Sequence, residues 1–169
     1  MNQKIPTTII SGFPSIGKTT NAKLFPTIFR DLESSDYHWI KVVEMRSETT
    51  GKEKIPNPEW PNNYIAAIKA LDKSGMYHTV MVSSHEDIRE AMVKAGIKYT
   101  NIYPEDTPEM KKIILERVKK RGSSQEFIDM LDAKYSEYVK SMAEDKNAAR
   151  RVALTPQTIT EWGTWCAYA

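Results

Sequence analysis

Short apolar runs alternate along the chain with segments in which apolar residues recur every three or four positions. The runs are short and several are rich in β-branched residues, so they predict strands, at residues 5–11, 27–33, 78–83, 99–103 and 151–155. The run at 5–11 keeps its apolar residues together instead of alternating them, which is typical of a strand buried on both faces. The last run is shorter than the first three.

Helical spacing fills the intervals between the runs, at residues 18–24, 61–74, 84–95, 107–121 and 123–143. Two of these segments open on strong start signals, Asp106-Thr107-Pro108-Glu109 and Ser123-Ser124-Gln125-Glu126. Gly75 and Gly96 follow two others as stop signals. Residues 42–46 fit either a short helix or a short strand.

Strands that alternate with helices predict an α/β fold with a parallel sheet and helices on both faces. Ligands of such sheets bind at the carboxyl ends of the strands. Polar clusters follow four of the predicted strands at that edge: the loop after the first, DLESSD after the second, SSHED after the third and PEDTPE after the fourth.

The loop after the first strand carries the most specific motif of the chain. GFPSIGKTT, residues 12–20, contains G-x-x-x-x-G-K-[ST], the pattern of a phosphate-binding loop. Glycines let backbone N–H groups turn inward around an anion, and the following helix directs its positive end at the same point. Lys18 would reach the phosphates of ATP, and Thr19 would place its hydroxyl on Mg²⁺. The expected nucleotide-binding residues are Gly12, Phe13, Pro14, Ser15, Ile16, Gly17, Lys18, Thr19 and Thr20.

Carboxylates for the metal and the acceptor are expected after the second strand, because the third predicted strand ends in serines. Asp31 and Glu33 are two positions apart and would share one face of a strand. One would orient the magnesium shell, with Asp31 as the candidate, and the other would contact an acceptor hydroxyl. Ser34 and Ser35 either cap a helix or contact the substrate. The alternative is that DLESSD is a solvated turn.

The segment ERVKKRGSS, residues 116–124, predicts a basic lid. Arg117 and Arg121 are four apart on one helical face, and Gly122 would act as a hinge before the next helix. Arginines on such a lid, residues 107–143, would stabilise the charge of a transferring phosphoryl group. The alternative is that these cations only stabilise a solvated helix C-terminus.

The acceptor is expected to bind between residues 36 and 64, where aromatic side chains are frequent. Tyr37 and Tyr64 would stack on a base or sugar, and Arg46 would pair with an acceptor phosphate. Asn63 and His85, the latter after the third strand, are further candidates. The alternative is that these residues pack in the core or on its border.

The chain resembles the small P-loop kinases, which span nucleoside and nucleotide kinases and the shikimate- and gluconate-type kinases. GFPSIGKTT, DLESSD and the RVKKR of the lid segment carry the resemblance. It implies a three-layer P-loop NTPase fold with strand order 2-3-1-4-5. It also implies an adenine pocket between Arg117 or Arg121 and the Thr155-Pro156-Gln157 stretch. NPEWPNNYI and VMVSSHEDIR are similar to uncharacterised phage-type P-loop proteins, so we expect a phage-encoded protein.

These features together predict one domain over residues 1–169 that acts as a Mg²⁺- and ATP-dependent phosphotransferase. The acceptor would be a small molecule, a nucleotide or nucleoside. The alternatives are an ATP-binding module that hydrolyses slowly or not at all and acts with a protein partner, or a kinase of nucleic-acid ends. The net charge of +2 argues against binding along a polynucleotide. The single cysteine, Cys166, and the lack of a run of about 20 apolar residues predict a cytoplasmic protein with no membrane partner.

Overall fold

A computed structural model describes residues 6–40 and 55–164. Within these residues the strands are β1 (Thr8–Gly12), β2 (Phe29–Asp31), β3 (Trp39–Ile40), β4 (Ile55–Pro56), β5 (Thr79–Ser83), β6 (Thr100–Pro104) and β7 (Arg150–Leu154). The helices are α1 (Lys18–Leu24), α2 (Ser35–His38), α3 (Asn62–Ser74), α4 (Glu86–Lys94), α5 (Pro108–Lys120) and α6 (Gln125–Ala143). The segment 42–46 and its Arg46 lie outside the described residues.

Five strands form a parallel sheet in the order β2-β5-β1-β6-β7, so the predicted α/β class with a five-stranded parallel sheet is confirmed. The strand numbers differ from the expected 2-3-1-4-5 because two short strands that the sequence did not predict, β3 and β4, come between β2 and β5 along the chain. They form a separate antiparallel pair. Counted without that pair, the strands of the parallel sheet stand in the order 2-3-1-4-5.

Alternate residues of the central strands face two separate cores. Ile10 of β1 and Met81 of β5 belong to the core that α5 and α6 cover. Ile9 of β1, with Val80 and Val82 of β5, belongs to the core beneath α3 and α4. The continuous apolar runs of these strands therefore have a physical reason, since helices cover both faces of the sheet.

The two helices of the predicted lid are part of the first core. Met110, Ile114 and Val118 of α5 are fully buried, as are Leu131 and Tyr135 of α6. α5 and α6 form a packed layer of this core, in which the C-terminal end of α5 contacts Ser15 of the loop and Tyr135 of α6 packs against Phe13. Burial of these apolar side chains stabilises the layer. The hinge at Gly122 stays a prediction.

Side-chain caps start both of these helices. The Thr107 hydroxyl accepts from the Met110 N–H at 3.2 Å, and the Ser124 hydroxyl accepts from the Phe127 N–H at 3.2 Å. These caps satisfy N–H groups that the first helical turn leaves without a backbone partner. The first of these caps fixes where α5 begins. It thereby fixes which residues near the C-terminal end of α5, up to thirteen positions after Pro108, lie beside the loop between β1 and α1.

Candidate functional site

The loop between β1 and α1 turns sharply at two residues with left-handed backbone. Ser15 has φ 61° and Gly17 has φ 107°. Gly12 is required for a different reason, because a Cβ atom there would lie 2.7 Å from the Lys18 side chain. The two glycines of the motif thus have different reasons. Gly12 leaves room for the Lys18 side chain, and Gly17 takes a backbone conformation that L-residues rarely adopt.

The N–H groups of the loop are its most informative feature. The Phe13 N–H donates to the Ile102 carbonyl at 2.9 Å, and Pro14 has no N–H. In the part of the chain that the structure describes, no protein group accepts from the N–H groups of residues 15–19. These five consecutive donors lie at the start of a helix, the arrangement that binds phosphate in other proteins.

Lys18 folds back over the loop. Its ammonium donates to the carbonyls of Gly12 and Phe13, the latter at 3.2 Å. Burial lowers the pKa of Lys18 to about 8, although the carboxylates of Asp31 and Glu33 act to raise it. The lysine is therefore a partly desolvated cation held close to the point where the loop amides converge.

Two arginines of the C-terminal end of α5 contact the loop at one residue. Arg117 Nη1 donates to the Ser15 carbonyl at 3.3 Å, and Arg121 Nη1 donates to the Ser15 hydroxyl at 3.3 Å. The sequence predicted both arginines over this loop, and the fold brings them into contact with it; their place beside phosphates stays a prediction.

Thr19 and Asp31 meet at the carboxyl ends of β1 and β2, where the Thr19 hydroxyl donates to Asp31 Oδ2 at 2.9 Å. Magnesium is commonly held by one or two protein oxygens together with substrate phosphates and water. No group of three or more His, Cys, Asp or Glu side chains suited to a metal is found among residues 6–40 and 55–164. The Thr19–Asp31 pair fits a Mg²⁺ ion that phosphate oxygens help to hold, not a metal bound by protein alone.

Glu33 does not share a strand face with Asp31, so that prediction is wrong. β2 ends at Asp31, and Glu33 is an exposed residue that accepts from the Ser35 hydroxyl at 3.3 Å. Ser34 is the N-cap residue of α2 without a side-chain cap bond. The strand stops early because the chain turns directly into α2, which places the Glu33 carboxylate beyond the sheet edge.

A cavity of about 570 Å³ adjoins the loop. Its lining includes five cationic side chains and no carboxylate, these being Lys18, Lys23, Arg117, Lys120 and Arg121. Ile159 and Thr160, which follow β7, complete one wall, whereas Pro156 is not part of the lining. Contact of Pro156 with a nucleotide stays a prediction. Such a charge pattern favours a polyanion.

Tyr64 cannot contact a substrate, contrary to the prediction. It is fully buried, its hydroxyl donates to the Leu32 carbonyl at 2.7 Å, and the Ser83 N–H donates to that hydroxyl at 3.0 Å. Burial also raises the pKa of Tyr64. Asn63 donates to the Tyr37 carbonyl at 2.8 Å and so joins α2 to α3. These residues therefore pack and bond to one another in the segment where the acceptor is expected to bind.

Three aromatic side chains form a stack next to Tyr64. The His38 imidazole stands between the Trp39 and Trp60 rings, with centroid separations of 4.3 and 4.5 Å. His85 precedes α4 as its N-cap residue, and burial lowers its pKa, with the Lys18 charge acting in the same direction. His85 lies at the same edge of the sheet as the loop, because it follows by two positions Ser83, the residue of β5 that pairs with Gly12.

Sequence reasoning missed Trp162, which contacts the loop from the side of the core. Its indole Nε1 donates to the Ile16 carbonyl at 2.9 Å across 146 positions of the chain. The tail around it predicted only a final helical turn. No local pattern signals such a contact, since it depends on the position of β7.

Neither a protein-family model nor a curated protein matches this chain. Among the described residues, every helix is too short or too polar to cross a membrane.

Proposed function

We propose that the chain is a P-loop kinase: it binds Mg·ATP at residues 12–20 and transfers the γ-phosphoryl group to a small acceptor, a nucleotide or nucleoside. The observation that carries the proposal is the set of five consecutive N–H groups, residues 15–19, that have no protein acceptor within the described residues and line a cationic cavity. A triphosphate supplies the acceptors that these donors lack. On this proposal the fold is a three-layer P-loop NTPase fold.

Each side chain of the site has a role that follows from its position. Lys18 would leave the carbonyls of Gly12 and Phe13 for the β- and γ-phosphates, which carry more negative charge than a carbonyl oxygen. Arg117 and Arg121 would stabilise the charge that spreads over the transferring group. Mg²⁺, held by Thr19 and Asp31, would neutralise phosphate charge.

The reaction needs no covalent enzyme intermediate. An acceptor oxygen forms a bond to the γ-phosphorus, the bond from that phosphorus to the bridging oxygen breaks, and ADP leaves. The acceptor hydroxyl gives up its proton to a base or to water. Glu33 and His85, which follow the ends of β2 and β5, are our candidates for that base.

The decisive experiment measures ADP release by the purified full chain with Mg·ATP, with and without a panel of nucleosides, nucleoside monophosphates and other small hydroxyl compounds. We expect ADP release to depend on one class of acceptor and to vanish in Lys18→Ala. ATP binding with no acceptor effect across the panel would support the non-catalytic module instead. Phosphorylation confined to oligonucleotide ends would support the nucleic-acid variant.

Substitution of Asp31 distinguishes a role in holding Mg²⁺ from a general effect of net charge. We expect Asp31→Asn to lower turnover by about 100-fold and to raise the Mg²⁺ concentration needed for half-maximal rate. Asp36→Asn, which removes an exposed carboxylate of α2, is the matched control and should behave like the unmodified chain. Equal effects of the two changes would contradict a metal role for Asp31.

A further inference from the structure

We infer that Trp162 is a positioning residue of the phosphate loop, which sets triphosphate affinity by fixing the loop amides and not by contacting the nucleotide base. This inference rests on the proposed function, because it concerns the same site. Trp162 lies in the turn after β7 and far from the motif in sequence.

The contact between Trp162 and the loop is buried and specific. Trp162 is 2% exposed, Ile16 is fully buried, and both belong to the core beneath α5 and α6. The indole N–H donates to the Ile16 carbonyl at 2.9 Å. An indole has one donor and no acceptor, so this bond satisfies the only polar group of the side chain.

The geometry of the peptide group turns this bond into a constraint on the anion site. The Ile16 carbonyl and the Gly17 N–H belong to one planar trans peptide, in which they point in opposite directions. A carbonyl held on the core side by Trp162 therefore directs the Gly17 N–H away from the core. Gly17 takes φ 107°, a conformation that glycine adopts readily, and the bond selects that conformation from the alternatives open to it.

Among the described side chains that donate to loop carbonyls, Trp162 differs from the others in carrying no charge. Lys18 and Arg117 also bond to loop carbonyls, at Phe13 and Ser15. A bound triphosphate would attract both cations away from these carbonyls. The neutral indole gains nothing from such a move, so its bond to Ile16 remains while the ligand is bound.

A second contact holds the same turn against α1. A Cβ atom at Gly163 would overlap the side-chain amide of Asn21, so the backbone of the turn lies directly on α1. The Asn21 N–H in turn donates to the Gly17 carbonyl at 2.9 Å. The turn therefore touches both the loop and the helix whose N-terminus faces the anion.

The test compares the affinities of Trp162→Phe for Mg·ATP and for inorganic triphosphate by titration calorimetry on the full chain. The variant keeps an aromatic ring and removes the donor. We expect both dissociation constants to rise by about tenfold, the scale of one lost hydrogen bond to a buried carbonyl. Equal loss for the two ligands assigns the effect to the loop, because inorganic triphosphate has no base.

Tyr99→Phe is the matched control. It also removes one buried side-chain donor, the Tyr99 hydroxyl that bonds to Asp145 at 2.8 Å, at the opposite end of the sheet. We expect it to lower the melting temperature without changing either affinity. Loss of ATP affinity alone in Trp162→Phe, or unchanged affinities with a lowered melting temperature, would overturn the inference and leave the proposed function standing. No binding of either ligand by the unmodified chain would overturn both.

A measurement on the unmodified chain covers the case in which Trp162→Phe does not fold. The NMR signal of the Trp162 indole N–H should exchange slowly with solvent both before and after inorganic triphosphate is added. An indole N–H that exchanges rapidly while the amide signals of residues 15–19 shift would show that the bond to Ile16 is not kept in the bound state and would overturn the inference.

Discussion

At the scale of one residue, Lys18 combines two properties that favour the proposed binding of phosphate. Its ammonium has neutral carbonyl partners, and burial lowers its pKa to about 8. A cation with poorly matched partners binds a polyanion strongly, because the desolvation cost has been met in the free protein. The free loop is thus prepared for a phosphate.

The pKa of Lys18 predicts a pH-dependent affinity. Bound phosphate favours the charged form and raises the pKa of Lys18, so above about pH 8 the free lysine must take up a proton when the ligand binds. We expect the affinity for Mg·ATP to be nearly constant below pH 8 and to fall by up to about tenfold per pH unit above it. Calorimetry in two buffers of different ionisation enthalpy should detect this proton uptake.

Lys18→Ala provides the control for that profile. The variant should bind Mg·ATP weakly, with an affinity that no longer changes between pH 8 and 10. A profile that keeps its slope in Lys18→Ala would assign the titration to another group.

At the scale of the element, α5 is a rigid support for the two arginines. Met110, Ile114 and Val118 anchor one face of the helix in the core. Arg117 and Arg121, one turn apart, reach the same loop residue. Since the helix is held along its length, the arginines need only side-chain rotation to reach a phosphate.

Arg117→Ala tests the role of this helix. We expect turnover to fall by about 100-fold, the usual scale for one lost donor to developing charge, with a smaller change in ATP affinity. Lys119→Ala is the control, because Lys119 belongs to the same last turn of α5 but does not line the cavity. Similar losses in both variants would indicate an effect of net charge and not of position.

At the scale of the whole molecule, the two ends of the sheet serve different purposes. The phosphate loop lies at the carboxyl end of β1, whereas a buried ion pair lies near the start of β6. There Asp145 Oδ2 accepts from Arg89 at 2.8 Å, Tyr99 at 2.8 Å and Asn101 at 3.1 Å. This network joins α4, β6 and the end of α6, and among the described residues it leaves one buried side-chain atom, Asn101 Oδ1, without a hydrogen-bond partner.

Breaking this network should cost stability and not nucleotide binding. Arg89 and Asp145 side chains are 6% and 7% exposed, so Asp145→Asn leaves a buried cation without its partner. We expect a loss of about 3–5 kcal/mol in unfolding free energy at pH 7 with unchanged affinity for Mg·ATP. Asp132→Asn, which breaks the exposed pair with Lys111, should cost less than about 1 kcal/mol.

The same carboxylate gives this prediction a pH window. Burial by itself would raise the pKa of Asp145, but the hydrogen bonds from Arg89, Tyr99 and Asn101 lower it below its ordinary value. Its contribution to stability is therefore complete above about pH 4 and is lost as the pH falls further. Denaturant titrations at several pH values should show the difference between Asp145→Asn and the unmodified chain shrinking in acid.

The sequence by itself determined the class of fold and the position of the glycine-containing loop after β1, because both depend on local patterns. Runs of apolar residues placed β1 and β5, and the motif placed Gly12, Lys18 and Thr19. Start signals placed α5 and α6 to within a residue or two. Each of these features is fixed by neighbours in the chain, which is why periodicity and spacing could predict it.

Only the tertiary structure decided which side chains surround the loop. The burial of Tyr64 and the contact between Trp162 and Ile16 each depend on residues distant in sequence. The packing of α5 against the core follows in the same way. A local pattern records the preference of a segment, whereas these contacts are set by how the segments pack against one another.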